Sequence, residues 1–174
     1  MSVDIFHKAL DFTLRWEGYK SDDKLDSGGR TIFGIASKFY PEEVNAMWDL
    51  PIEQAKLIAE KIYYTHYWLA GSCDDMPDKT SIVHFDACVN CGLHQAAKWL
   101  QEVIGVIDDG VIGSKTITAM NNYVAGYGDD ILANLLLKER ELFYHFLVKR
   151  NPTQEKFLKG WLNRVHDLGK FING

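Results

Sequence analysis

Residues 6–18, Phe6-His-Lys-Ala-Leu10-Asp-Phe-Thr-Leu14-Arg-Trp-Glu17-Gly18, decide what kind of fold this chain can begin. Phe6, Leu10 and Leu14 recur at steps of four, the spacing that lines up one face of an α-helix. Gly18 stands where a helix C-terminus belongs. The pattern predicts an amphipathic helix over 3–17 and carries its apolar stripe one further step of three to Glu17. A carboxylate there is partly desolvated and lies at the negative end of the helix dipole. Both conditions favour the protonated carboxyl, the state in which it can act as an acid. Trp16 would add apolar shielding by folding over that carboxyl. The plainer reading of Glu17 is a partly exposed helix-terminal carboxylate.

Beyond the helix, Lys20-Ser-Asp-Asp-Lys-Leu-Asp-Ser-Gly-Gly-Arg30 is too polar and Gly-marked to continue it. Thr31-Ile-Phe-Gly-Ile35 is β-branched and aromatic, a short strand or hairpin arm. Farther out the pattern is helical again. A helix is expected from Pro51 to Trp68, with Ile58, Ile62 and Leu69 along one side. A polar break follows over Gly71 to Lys79, containing Pro77. Then Ile82, Phe85, Val89, Leu93, Ala96 and Leu100 step by three or four as one long helix, capped by Thr80 or Ser81 and ended by Gly105. Ser114 caps a helix to about Tyr127. Asp129 caps another to about Arg150, with Leu132, Leu135, Leu136, Phe143, Phe146 and Leu147 inside. Asn151-Pro152 opens the last, carrying Leu158, Trp161, Leu162, Val165 and Leu168. The expected fold is mainly α, with a small β-hairpin element near the N-terminal site. The break at 71–79 divides it into lobes of residues 1–79 and 80–174, packed as one compact unit.

A net charge of -5 disfavours a nucleic-acid partner, which calls for a basic face. It is also unhelpful toward anionic envelope polymers. The three cysteines, Cys73, Cys88 and Cys91, make no paired framework. A zinc site at Cys88-x-x-Cys91 would need further ligands that His84 and His94 supply only with awkward facing, so no metal is expected. Free thiols point to synthesis in the cytoplasm. The N-terminus lacks a signal peptide's basic-then-apolar order. No apolar run reaches the roughly 18 residues a membrane span needs, so no membrane insertion is expected.

The loop after Glu17 supplies Asp22, Asp23 and Asp26, then paired glycines and Thr31. An inverting glycosidase needs a second carboxylate roughly 6.5–9.5 Å from its acid, leaving room for the attacking water. A helix end, a polar loop and a strand can hold two carboxylates across a cleft in that way. Taken alone, Asp26 reads as a solvated loop or turn residue.

Trp16-Glu17-Gly18-Tyr19 followed by Asp26-Ser-Gly-Gly-Arg-Thr-Ile-Phe-Gly-Ile35 resembles the N-terminal signature of glycoside hydrolase family 108, phage-endolysin-like muramidases, some labelled secretion activators. One Gly of the first motif is absent here, and Ser27 stands where the family commonly has Pro. The stretch also resembles the Glu, Asp, Thr set of phage-type lysozymes. Eight residues lie between Glu17 and Asp26, as in those enzymes, and four between Asp26 and Thr31, one fewer than is common there. Phe85-Asp-Ala-Cys-Val-Asn-Cys-Gly92, Ala97-Lys-Trp-Leu-Gln101, Gly105-Val-Ile-Asp-Asp-Gly-Val-Ile-Gly-Ser-Lys-Thr116 and Gly160-Trp-Leu-Asn-Arg164 resemble the companion peptidoglycan-binding region.

The resemblance implies a lysozyme-like fold and hydrolysis of the β-1,4 bond between N-acetylmuramic acid and N-acetylglucosamine. It makes Glu17 the general acid, Asp26 the water-activating base, with Asp22 or Asp23 as alternatives, and Thr31 a positioning hydroxyl. Substrate contacts are expected from Tyr19, Gly29, Asn90, Tyr67 and Trp68. For Asn90 a bracing role is the rival reading, and for Tyr63, Tyr64, Tyr67 and Trp68 a place in the core. His66, His84 and His145 read as structural. No cofactor is implied. The partner would be peptidoglycan glycan strands, met by a monomer in the periplasm or outside the cell after release by a holin or exporter. Rival functions are a lytic transglycosylase and a non-catalytic wall-binding or secretion-accessory protein.

Overall fold

The computed structural model describes residues 3–22 and 29–174. The chain opens with α1 (Val3–Glu17), which buries Phe6, Ala9, Leu10, Phe12 and Thr13. Three two-residue strands follow, β1 (Lys20–Ser21), β2 (Thr31–Ile32) and β3 (Ile35–Ala36), forming an antiparallel sheet in the order β1-β2-β3. Lys20 faces Ile32, and Thr31 faces Ala36. A two-residue turn, Phe33-Gly34, joins β2 to β3, with φ of 51° and 77°. Positive φ at both positions matches the right-handed twist of the flanking strands. Phe33 adopts this conformation against its own preference. Two hydrogen bonds hold it there: its amide donates to the Tyr19 carbonyl at 2.7 Å, and its carbonyl accepts from Tyr63 Oη at 2.7 Å.

Next come α2 (Pro41–Trp48), α3 (Ile52–Tyr63), a π-helical turn (Tyr64–Leu69) and a 3-10 turn (Cys73–Asp75). They lead to α4 (Asp78–Cys91), α5 (Leu93–Ile104), α6 (Ser114–Tyr127), α7 (Asp129–Arg150), a second 3-10 turn (Pro152–Gln154) and α8 (Glu155–Asn173). The mainly α architecture with a small sheet is as expected. At its centre lies α4, buried at every position from Thr80 to Cys88 and packed on α1, α5, α7 and α8. A helix wetted on no face is a core element.

Five local differences from expectation stand out. The helix α2 went unread, although Pro41 at its first turn followed by Glu42 and Glu43 is a helix start. The long helix of 80–105 is two, broken at Gly92, whose φ of 88° and ψ of 151° lie outside helical space. Gly92 lets the apolar stripe pass from α4 to α5 in register while the axis changes direction. The segment from Pro51 does run helically to Leu69, but its last turn is π-helical. The wider turn rotates the face, so Trp68 enters the core and Leu69 is left 46% exposed. Asp129 caps a helix other than its own: its carboxylate accepts from the Lys79 and Thr80 amides and from Thr80 Oγ1, closing the N-terminus of α4. Within α7 the inner face is Leu132, Ala133, Leu136, Leu137, Arg140 and Tyr144, and Phe146 points outward.

Candidate active site

Glu17 is the last residue of α1, and its side chain retains 21% of its exposure. Carboxylate oxygen Oε1 accepts a hydrogen bond from Arg164 Nη1 at 2.7 Å. The other oxygen, Oε2, faces the β2–β3 turn: a Cβ built on Gly34 would stand 2.8 Å from it and 2.8 Å from the Glu17 Cβ. Gly34 is thus required twice, by its φ and by this approach. The expected neighbour of Glu17 was apolar, yet its nearest partner is a guanidinium. Trp16 instead lines a surface cleft with Phe12, Arg15, Asp167, Lys170 and Phe171.

Arg164 is fixed from behind. Its Nη2 donates to Asp86 Oδ1 at 2.7 Å, and its Nε lies 3.1 and 3.2 Å from the two Asp86 oxygens. Asp86 also accepts from Arg140 Nη1 at 2.7 Å and from Thr13 Oγ1 at 2.9 Å. Burial alone would push the Asp86 carboxyl up. The two guanidinium groups outweigh burial and hold it down at about 2. The series continues outward: Arg140 Nη2 donates to Asn90 Oδ1 at 3.0 Å, Arg140 Nε to Tyr144 Oη at 2.8 Å, and Tyr144 Oη to Asn90 Oδ1. Two carboxylates therefore meet two guanidinium groups, and the donors and acceptors between them are satisfied, as buried charges require.

Tyrosines from α3 and the π turn complete the neighbourhood. Burial pushes the Tyr63 hydroxyl well above its ordinary range, with Glu17 adding to the effect. Tyr67 rises to about 12, first through burial and then through Tyr40 and Glu17. Both stay neutral hydroxyls at ordinary pH, able to donate hydrogen bonds. Tyr67 rides on a π-helical turn, a feature that often marks functional sites.

The structure gathers some of the expected site residues and separates others. Tyr67 lies close enough to Glu17 to feel its charge, and the hairpin that carries Thr31 packs on Glu17 through Gly34. Thr31, half-buried, directs its hydroxyl to the Gly29 carbonyl at 3.5 Å. Gly29, at φ 72°, abuts Ser37. Tyr19 is 41% exposed, sets its ring edge-on to Phe33 at 5.0 Å, and lines a cleft of about 670 Å³ with Leu14, Ile52 and Lys56. Asn90 joins the site through Arg140, Asp86 and Arg164 in turn, a bracing geometry.

Trp68 is a correction. It is 1% exposed, packs on Phe6 and Phe85, and donates to Asp74 Oδ1 at 2.7 Å, so it is core and cannot meet substrate. Asp22 is exposed at the end of the described N-terminal run, while Asp23 and Asp26 lie outside the described residues. Cys73 and Cys88 are buried, and burial pushes both thiols up. Among the described residues no three His, Cys, Asp or Glu side chains are grouped to hold a metal, and no helix is long and apolar enough to cross a membrane.

Sequence reasoning assigned no role to Asp86, Arg140, Arg164 or Gly34, and placed Tyr63 only within an aromatic cluster. A signal existed for three of them. Asp86 interrupts the apolar run Ile82-Val-His-Phe85, Arg140 falls four residues from Leu136 and Tyr144, and Arg164 falls between Trp161 and Leu168 on the inner face of α8. Charges at core positions need partners of opposite sign.

A helix-end carboxylate beside a hairpin, braced from a second helical segment, is an arrangement that a glycoside hydrolase can use as its acid. In agreement, the family model described as glycosyl hydrolase 108 matches residues 10–92, and the one described as a predicted peptidoglycan domain matches residues 95–166. The chain belongs to the glycosyl hydrolase 108 family and is a peptidoglycan hydrolase. Among solved structures it is similar to Brucella abortus SagA, at 30% identity over 96% of this chain and 92% of that one, with a TM-score of 0.75. No curated protein matches the chain.

Proposed function

We propose that this enzyme is an N-acetylmuramidase that hydrolyses the β-1,4 bond between N-acetylmuramic acid and N-acetylglucosamine, with Glu17 as general acid. The observation that carries this reading is the asymmetric setting of the Glu17 carboxylate. One oxygen is held by Arg164, the other faces the glycine of a hairpin turn, and 21% of the side chain stays exposed. An acid so held can present its proton to a glycosidic oxygen lying against the turn. In this reading Asp26 activates the water, Thr31 orients it, and Tyr67 donates a hydrogen bond to the sugar. Tyr19 and Gly29 border the bound strand.

Clearing of purified peptidoglycan by the wild type and by Glu17→Gln, with mass spectrometry of the products, tests the reading. Clearing by the wild type alone, with reducing muramic-acid ends, is the expected result. Anhydro ends would replace hydrolysis with a transglycosylase reaction. Equal clearing by both proteins would remove Glu17 from the acid's role, and wall binding without clearing by either would favour an accessory protein.

A further inference from the structure

We infer that Arg164 is a positioning residue for the Glu17 carboxyl, so that the segment matched as a peptidoglycan domain supplies part of the hydrolase site. This inference rests on Glu17 being the general acid.

The guanidinium has two edges at fixed angles, and the protein uses both. Its Nε and Nη2 edge faces Asp86, and its Nη1 points to Glu17 Oε1 at 2.7 Å. Because the group is planar, fixing one edge on Asp86 fixes where Nη1 points. Arg140 holds Asp86 from its other side. The Gly34 turn confines the Glu17 Cβ and Cγ, and the hydrogen bond from Arg164 fixes the rotation of the carboxyl group itself. With Oε1 held, Oε2 is left at Gly34 as the oxygen that presents the proton.

During bond cleavage the proton passes from Oε2 to the glycosidic oxygen, which also takes the C–O bonding pair, while a water adds to the anomeric carbon and gives its proton to the base, Asp26 in the proposed reading. The carboxyl becomes a carboxylate whose new charge faces Arg164 across an existing hydrogen bond. Donors already in place at the site of a developing charge need no reorganisation. The groups around Glu17 are Tyr63 from α3, Tyr67 from the π turn, Asp86 from α4 and Arg164 from α8. Among them Arg164 is the cation.

Energetics point the same way. An ion pair this buried adds little stability over apolar side chains of similar volume, because desolvation offsets the attraction. Arg164 and Asp86 have 7% and 1% of their side-chain surface exposed, and Arg164 reaches from one matched segment to the acid of the other. A device for holding an angle accounts for that arrangement.

The test is Arg164→Lys in the full chain, assayed on solubilised peptidoglycan beside Glu17→Gln. Lysine can neutralise Asp86 but cannot bridge it to Glu17 with fixed geometry. The expected result is a kcat lowered about 10- to 100-fold at temperatures well below melting, with KM and wall binding close to wild type. The melting temperature should fall, because lysine leaves hydrogen bonds to Asp86 unmade. Arg164→Ala, assayed with methylguanidinium ion, should regain turnover several-fold as the ion seats beside Asp86, a partial return of the roughly 100-fold or larger effect of one donor. Wild-type kcat in Arg164→Lys, a rise in KM matched by lost wall binding, or failure of methylguanidinium to restore Arg164→Ala would overturn the inference. Wild-type turnover in Glu17→Gln would instead remove the acid assignment, and this inference with it.

Discussion

At the scale of single residues, Gly34 is the position where chemistry and backbone make the same demand. A Cβ there meets Glu17 Oε2, Cγ and Cβ at 2.8–2.9 Å, and the backbone sits at φ 77°. Gly18 provides a control, with φ 74° and nothing within 4 Å of a Cβ. Both Ala substitutions carry a strain of about 1–2 kcal/mol. Gly34→Ala should also displace the acid and lower kcat about 100-fold or more, whereas Gly18→Ala should lose stability with much smaller loss of turnover. Parallel denaturant melts and initial rates separate the two effects. Similar kcat losses in both variants would mean that strain, and not the contact with Glu17, controls the rate.

At the scale of elements, the N-terminus of α4 depends on a side chain 49 residues away in sequence from Thr80. Asp129 satisfies two of the free amides there and places a negative charge at the positive end of the helix dipole. Asp129→Ala should cost roughly 1–2 kcal/mol, read as a lower urea midpoint with an unchanged slope, and Asp129→Asn should recover part of it. Some helix boundaries were legible in the sequence: α1 stops at Glu17, just before Gly18, and α6 and α7 begin at Ser114 and Asp129. Gly113 and Gly128 nonetheless occupy the cap positions, and neither Ser114 nor Asp129 caps its own helix. The break at Gly92 was not legible, because the stripe of α4 and α5 keeps its period across it. Nor was the π turn, since one wider turn leaves the composition unchanged and alters only which residues face inward. That is why Trp68 reads as a groove aromatic and is found in the core.

For the molecule as a whole, α4 carries His84 into an interior where its Nε2 has no hydrogen-bond partner among the described residues. Burial disfavours the imidazolium and holds the ring down at about 4, against an ordinary 6.5, with a hydrogen bond to the Gly71 backbone opposing. Between those values the unfolded chain binds a proton that the folded chain does not. Stability from this group is therefore complete above pH 6.5 and is lost as the pH falls toward 4, by about 3 kcal/mol. Urea midpoints measured from pH 7 to pH 4 should fall over that window, and His84→Gln should flatten the fall. An unchanged slope in the variant would mean that other groups drive the acid sensitivity.

The sequence by itself determined the mainly helical class, the stop after Glu17, the hairpin at Thr31–Ile35 and the motif that points to a wall-cleaving enzyme. These rest on period, turn chemistry and residue type, which are local. Tertiary structure alone decided the surroundings of Glu17. Arg164 is 147 residues away and Asp86 is 69 away, and local pattern marks them as charges at core positions without naming the partner of either. Two charges on separate helices become partners only when packing excludes water and leaves each the other as its means of satisfaction, so the brace on the acid exists only in the folded molecule.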